Sequence, residues 1–193
     1  LTGRRLDDYL RQIRSLLEQG VPIGGIGVQG HLHGETFDAR AMWRALEALG
    51  QFGLPVRITE FNIPGQRSRL YHDRRAPMTP EEERAQAREL ERFYRIAFAH
   101  PAVQGILMWG FWEGANWIPS SSIYRRDWSP KPAAKAHRKL VFDEWWTRWQ
   151  GRTDANGRCR VRAFLGEHAV KVGGATRTVR LESNREPLTV RFD

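Results

Sequence analysis

The 193 residues include a single cysteine, Cys159, and only four lysines: Lys131, Lys135, Lys139 and Lys171. One cysteine excludes an internal disulfide and any cysteine-based metal site. Cys159 is therefore expected as a small buried apolar residue. No apolar run approaches the ~20 residues that a membrane-spanning helix takes. No signal peptide is visible, because Leu1 opens straight into a helical pattern. The scarcity of lysine also bears on charge. The formal net charge is +9, from 31 basic and 22 acidic side chains, a balance that can mark a nucleic-acid surface. Here the basic residues are almost all arginines, scattered along the chain and interleaved with Asp and Glu. No RNA- or DNA-binding motif accompanies them, so a bias of arginine over lysine is the simpler account. The alternative is a basic scaffold for an anionic polymer, whose affinity would fall steeply with salt.

What is present is an alternation of helical and strand patterns. Leu6, Tyr9, Leu10, Ile13, Leu16 and Leu17 recur at helical spacing, and Gly20 and Pro22 end that helix. A strand is predicted over residues 25–29, and a helix over 38–49 with Gly50 as its cap. The central stretch is Leu54-Pro-Val-Arg-Ile-Thr-Glu-Phe-Asn-Ile63. It reads as a buried strand, residues 56–59, bounded by Gly53 and Pro55 before it and Pro64-Gly65 after it. Glu60 stands at its exit. A loop of about sixteen residues follows, a length that marks function or disorder. Thr79-Pro80-Glu81-Glu82 then starts a helix, with Thr79 as cap, Pro80 in the first turn and Glu82 completing a capping box. That helix runs to about Ala99. A third strand is predicted over residues 103–109, and a last helix from Pro132 to about Trp146.

The texture changes at Gly151. Turns at Asp154-Ala-Asn-Gly157 and Gly173-Gly174 separate predicted strands at residues 158–164, 168–172, 176–181 and 188–192. This reads as a small β-sandwich-like module, residues 151–193, after an α/β domain at residues 1–150. Its core is marginal at that size. Trp145, Trp146 and Trp149 would serve as its packing surface or, on the sharper reading, as a platform for sugar.

Three strand ends carry the chemistry. They are Gly25-Ile-Gly-Val-Gln-Gly-His31, Ile58-Thr-Glu60, and Trp109-Gly-Phe-Trp-Glu113 running on to Asn116-Trp117; Pro130-Lys-Pro-Ala133 forms a fourth motif. In this order they resemble the second half of glycoside hydrolase family 10, the retaining β-1,4-xylanases, over about residues 6–140. The resemblance implies a partial (β/α)8 barrel, its last three strands with flanking helices. A whole barrel takes about 250 residues, so the resemblance points to a missing N-terminal half of the same barrel. It implies an extracellular enzyme acting on xylan or a related β-1,4-glycan, with no cofactor, no metal, no nucleic-acid partner and no membrane.

Retaining glycosidases use two carboxyl groups about 5–5.5 Å apart. The resemblance implies that Glu60 is the nucleophile and that His31 orients it. It assigns Gln29, Asn62, Trp109, Glu113 and Trp117 to substrate binding. Trp109 and Trp117 would offer their rings to pyranose faces; Trp112 reads equally as core. Asn62 stands where the family usually has an Asp that supports the histidine. An amide can accept the imidazole hydrogen bond but cannot stabilise imidazolium with a negative charge. The family's acid/base Glu follows an Asn, and no Asn-Glu pair occurs here. The chain is accordingly expected to be incomplete and inactive alone, or to be a non-catalytic carbohydrate-binding remnant. Alternatively, as ordinary strand-end residues, Gln29 and His31 would have no catalytic part.

Overall fold

The computed structural model describes residues 3–34, 36–183 and 186–192. Leu1 lies outside them, and the first helix begins at Arg4. The chain divides into two compact units, Leu1–Arg138 and Lys139–Asp193. The division falls ahead of the border expected after residue 150.

The first unit alternates as its periodicity predicts. Helix α1 is Arg4–Glu18, strand β1 Ile26–Val28, α2 Ala39–Gly50, β2 Val56–Phe61, α3 Arg69–His72, α4 Pro80–Ala99, β3 Val103–Met108 and α5 Pro132–Lys139. The three strands form one parallel sheet in the order β1-β2-β3. Caps explain the helix starts. The Asp38 carboxylate accepts from Arg40 N and Ala41 N, at 2.8 and 3.0 Å. Thr79 Oγ1 accepts from Glu82 N while Glu82 Oε2 accepts from Thr79 N, the reciprocal box that its sequence announced. Helix α2 runs one residue further than expected, so Gly50 is its last residue; Gly53 takes the left-handed φ of 68°. The long loop after β2 is not wholly irregular, since α3 lies inside it.

Val56 and Ile58 of β2 are buried, as is Phe61. Strict alternation would put Glu60 on the same side as Val56 and Ile58. The ladders show why it is not there. Ile58 pairs with Val28 and Ile106, yet Phe61 pairs with Met108 and Asn62 with His31. Strand β2 therefore carries one more residue than either neighbour between these pairs. Such a bulge re-aims side chains: Phe61 takes the buried side, against Phe93 and Tyr94 of α4, and Glu60 is released to the other.

In the second unit Leu140–Glu144 forms a π-helical turn. Strands β4 Gly166–Val172 and β5 Ala175–Leu181 form an antiparallel hairpin around Gly173-Gly174. The Asp154 turn also forms, with Asp154 Oδ1 accepting from Asn156 N and Arg158 N. The expected sandwich does not. Residues 158–164 and 188–192 join no sheet, and Cys159 is exposed rather than buried. Alternating charge and apolarity makes a half-buried strand only where a second layer covers it. A two-stranded ribbon supplies none. Trp146 and Trp149 are more than half exposed.

Gly30 follows β1 where the chain passes close to β2. A Cβ there would lie 2.6 Å from Ile58 Cγ2 and 3.4 Å from Phe93 Cζ. Gly30→Ala is expected to cost about 1–3 kcal/mol by overpacking. Denaturant unfolding checks this; an unchanged midpoint would show that the strand end relaxes freely.

Candidate active site

The ends of β1 and β2 bring four polar side chains together. Gln29 Nε2 donates to Glu60 Oε1 at 3.1 Å. His31 Nε2 lies 2.9 Å from Glu60 Oε2. His31 Nδ1 lies 2.5 Å from Asn62 Oδ1. The Asn62 amide is oriented by its other end, since Nδ2 donates to Pro64 O at 3.4 Å and to Ser121 Oγ at 3.2 Å. A carbonyl can only accept, so Oδ1 is the end facing His31. His31 Nδ1 must therefore carry a hydrogen and donate it. Nε2 then meets a carboxylate oxygen, and one proton must lie between them. The pair is either imidazolium with carboxylate or imidazole with carboxylic acid. In either form the Glu60 carboxyl is oriented through both oxygens.

Asn62 is 3% exposed. Expected among the substrate-binding residues, it is instead enclosed, with both ends of its amide engaged by the protein. Glu113 pairs with Lys131 Nζ at 2.6 Å. Lys131 is itself buried and also donates to Ser120 O at 2.8 Å. A buried ammonium needs such a counter-charge, so the Glu113 carboxylate, expected at the substrate, pairs with Lys131 through Oε1 and fastens the segment after β3.

Two indoles stand against the imidazole. The Trp117 ring lies 5.1 Å from His31, tilted by 54°, and Trp109 lies 6.3 Å away, edge-on. Trp117 Nε1 is enclosed and has no acceptor among the described residues. Trp109 is about half exposed. Trp112 belongs to neither group. It stacks on Trp128 at 5.0 Å with planes 8° apart, and its Nε1 donates to Arg126 O. Trp128 has a left-handed φ of 67°.

Several residues that shape the site had been assigned no role. Asn116 Nδ2 donates to Gly110 O and Ser122 Oγ, tying together the segment between Trp109 and Trp117. Gln86 Nε2 donates to Ile63 O at 2.8 Å and Ser121 O at 2.7 Å. One signal was available for Gln86: it occupies the core stripe of α4 with Leu90, Phe93, Tyr94 and Ala97, and a polar residue there must find buried partners. Tyr71, on α3, meets Trp117 edge-on at 5.7 Å; a four-residue helix is too short to leave a periodic trace. Among the described residues no cluster of His, Cys, Asp and Glu could hold a metal.

These features match known proteins. The family profile of Glycosyl hydrolase family 10 matches residues 2–140. The chain belongs to that family. It is 36% identical over 172 residues to the anti-sigma-I factor RsgI6 of Acetivibrio thermocellus, covering 89% of this chain and 20% of that one. It is 32% identical over 166 residues to endo-1,4-beta-xylanase 1 of Arabidopsis thaliana, covering 86% and 16%. Among solved structures, xylanase 10B of Thermotoga petrophila in complex with xylobiose matches with a TM-score of 0.58 at 26% identity, covering 69% of this chain and 41% of that one. The chain thus spans less than half the length of each of these proteins.

The long loop is joined to α4 by charge. Arg69 Nε and Nη2 donate to Glu82, at 2.8 and 2.5 Å. The Arg69 guanidinium, with help from Thr79, holds the Glu82 carboxyl down at about 2, against the opposing effect of burial. A carboxyl lowered on folding stabilises above its ordinary value of 4.5, and that contribution is lost as pH falls toward about 2. Glu82→Gln keeps a capping oxygen but removes the charge. The stability gap between parent and variant, from thermal unfolding, should be full at pH 6, shrink below about pH 4.5 and nearly close by about pH 2. A gap independent of pH would contradict the ion pair.

Proposed function

We propose that this chain is the nucleophile-bearing C-terminal part of a retaining endo-β-1,4-xylanase-type glycoside hydrolase. The observation that carries the reading is the Glu60 carboxyl, held by His31 on one oxygen and Gln29 on the other, with indoles against the same imidazole. Family membership supports it, as does likeness to xylanases. A carboxylate oriented this way can attack an anomeric carbon and form a covalent glycosyl ester. Trp109 and Trp117 suit pyranose faces, whose C–H groups pack on π surfaces. The side chains bonded to Glu60 are an imidazole and an amide. Neither is the carboxylic acid that must protonate the leaving group, so a second carboxyl comes from beyond these residues.

The sheet supports the same account. Among the described residues, the edge strands β1 and β3 pair with no further strand. Leu107, Trp109 and Phe111, at alternate positions along and just beyond β3, are about half exposed. Open edges and uncovered apolar side chains are what further barrel strands would pair with and cover. An extracellular location is part of the same proposal, supported by the size of a polymer such as xylan, which does not cross membranes.

The match to an anti-sigma factor favours a second reading. In it the half-barrel belongs to a non-catalytic carbohydrate-binding protein that keeps its indoles and makes no use of Glu60.

Glu60→Gln, made in the complete polypeptide that carries these residues, separates the two. The hydrolase reading expects turnover of an activated aryl xyloside to fall on the order of 10³-fold or more, with oligosaccharide binding kept. Undiminished turnover would contradict the nucleophile. A parent without turnover that still binds xylo-oligosaccharide would establish the second reading.

A further inference from the structure

Helix α3 is a single turn, Arg69–His72, and one turn does not hold itself together. It is nevertheless fastened on every side. Its own Leu70 is buried. Ser68 Oγ donates to Gly65 O at 2.8 Å just before it. Arg69 reaches Glu82 with two nitrogens and donates to Pro77 O at 2.9 Å. Ala76 O, further along, accepts from Ser120 Oγ. The anchor itself is fixed, because Glu82 is the carboxylate of the α4 capping box.

This clamped turn carries Tyr71 to Trp117. The rings meet edge-on, with centroids 5.7 Å apart and planes at 69°. Trp117 in turn lies 5.1 Å from His31, and His31 lies 2.9 Å from Glu60. The phenol thus belongs to a row of rings that ends at the Glu60 carboxyl. We propose that Tyr71 is a positioning residue: its ring fixes the Trp117 indole, and the Arg69–Glu82 clamp seats α3 so that it can. The consequence for affinity rests on the hydrolase reading above, in which Trp117 meets the pyranose. The contact between the rings does not depend on it.

Tyr71 acts through its ring edge, so the hydroxyl is dispensable and Tyr71→Phe should behave as the parent. In Tyr71→Ala the indole loses its neighbour. Because the ring binds sugar in ground and transition states alike, KM for a xylo-oligosaccharide should rise about three- to tenfold with kcat within about twofold. Arg69→Ala should follow Tyr71→Ala, since it releases the turn that delivers the phenol.

The second readout is the ¹⁵N-¹H resonance of Trp117 Nε1–H, assigned by its loss in Trp117→Phe. It should move in Tyr71→Ala and in Arg69→Ala and stay in place in Tyr71→Phe. All variants are made in the complete polypeptide. A resonance unmoved in Tyr71→Ala overturns the proposal, and so does a moved resonance with KM unchanged. Equal damage in Tyr71→Phe overturns the role of the ring. Where the parent turns over no xylo-oligosaccharide, the hydrolase reading fails on that ground. The resonance alone then decides: moved in the alanine variant and native in the phenylalanine variant supports the positioning contact, and any other pattern overturns it.

Discussion

The site depends on how one carboxyl is held between two strands. Glu60 is bonded by Gln29 and His31, both from the end of β1, while the carboxyl itself belongs to β2. A half-enclosed carboxylate without partners would shift toward its neutral form or turn to water. Here an amide and an imidazole take one oxygen each. Asn62 Oδ1 takes the hydrogen on His31 Nδ1, which leaves Nε2 facing the carboxyl. The extra residue in β2 is a precondition for all of this. Without it Glu60 would face the side that Val56 and Ile58 bury. With it, Phe61 fills that side and the carboxyl meets β1.

A second constraint acts from the start of α4. Its first turn carries Glu81, Glu82 and Glu83. Glu82 takes Arg69 from the loop after β2, and Glu83 takes Arg125 from the loop after β3, with both carboxylate oxygens 2.7 Å from Nη2. One helical turn further, Gln86 bonds the backbone of both segments. One helix end thus fastens the two segments that bear Tyr71, Trp117 and Lys131. Acidic residues suit that place, because the positive end of the helix dipole favours them. The local rule that starts the helix and the tertiary contacts that build the site draw on the same side chains.

Much of the fold was legible. Periodicity and breakers located the three strands and the long helices, and the Thr79 box named its own cap. The pairing of His31 with Glu60 followed from the family resemblance, and alternation put Gln29 on the same side as His31; the resemblance gave Gln29 to the substrate, and its hydrogen bond to Glu60 was not foreseen. What was not legible turns on contacts between distant parts of the chain. Nothing local to Glu113 says that its carboxylate meets a buried Lys131. The resemblance set Asn62 beside His31, but nothing local names Pro64 and Ser121 as the partners of its amide nitrogen. Tyr71 sits in a stretch too short for periodicity, and the bulge in β2 is invisible without its neighbours. In the second unit the failure runs the other way. Residues 158–164 alternate well, yet a strand needs a partner and a layer to cover, and the pattern contains neither.

The central claim is that Glu60 forms a covalent bond to sugar. The most direct test is to treat the complete polypeptide with a 2-deoxy-2-fluoro xylobioside bearing a good leaving group, then locate the label by mass spectrometry of its peptides. The account predicts one glycosyl unit esterified to Glu60, and none when Glu60 is replaced by Gln. A label on another carboxylate, or hydrolysis of the reagent with no ester formed, would contradict it.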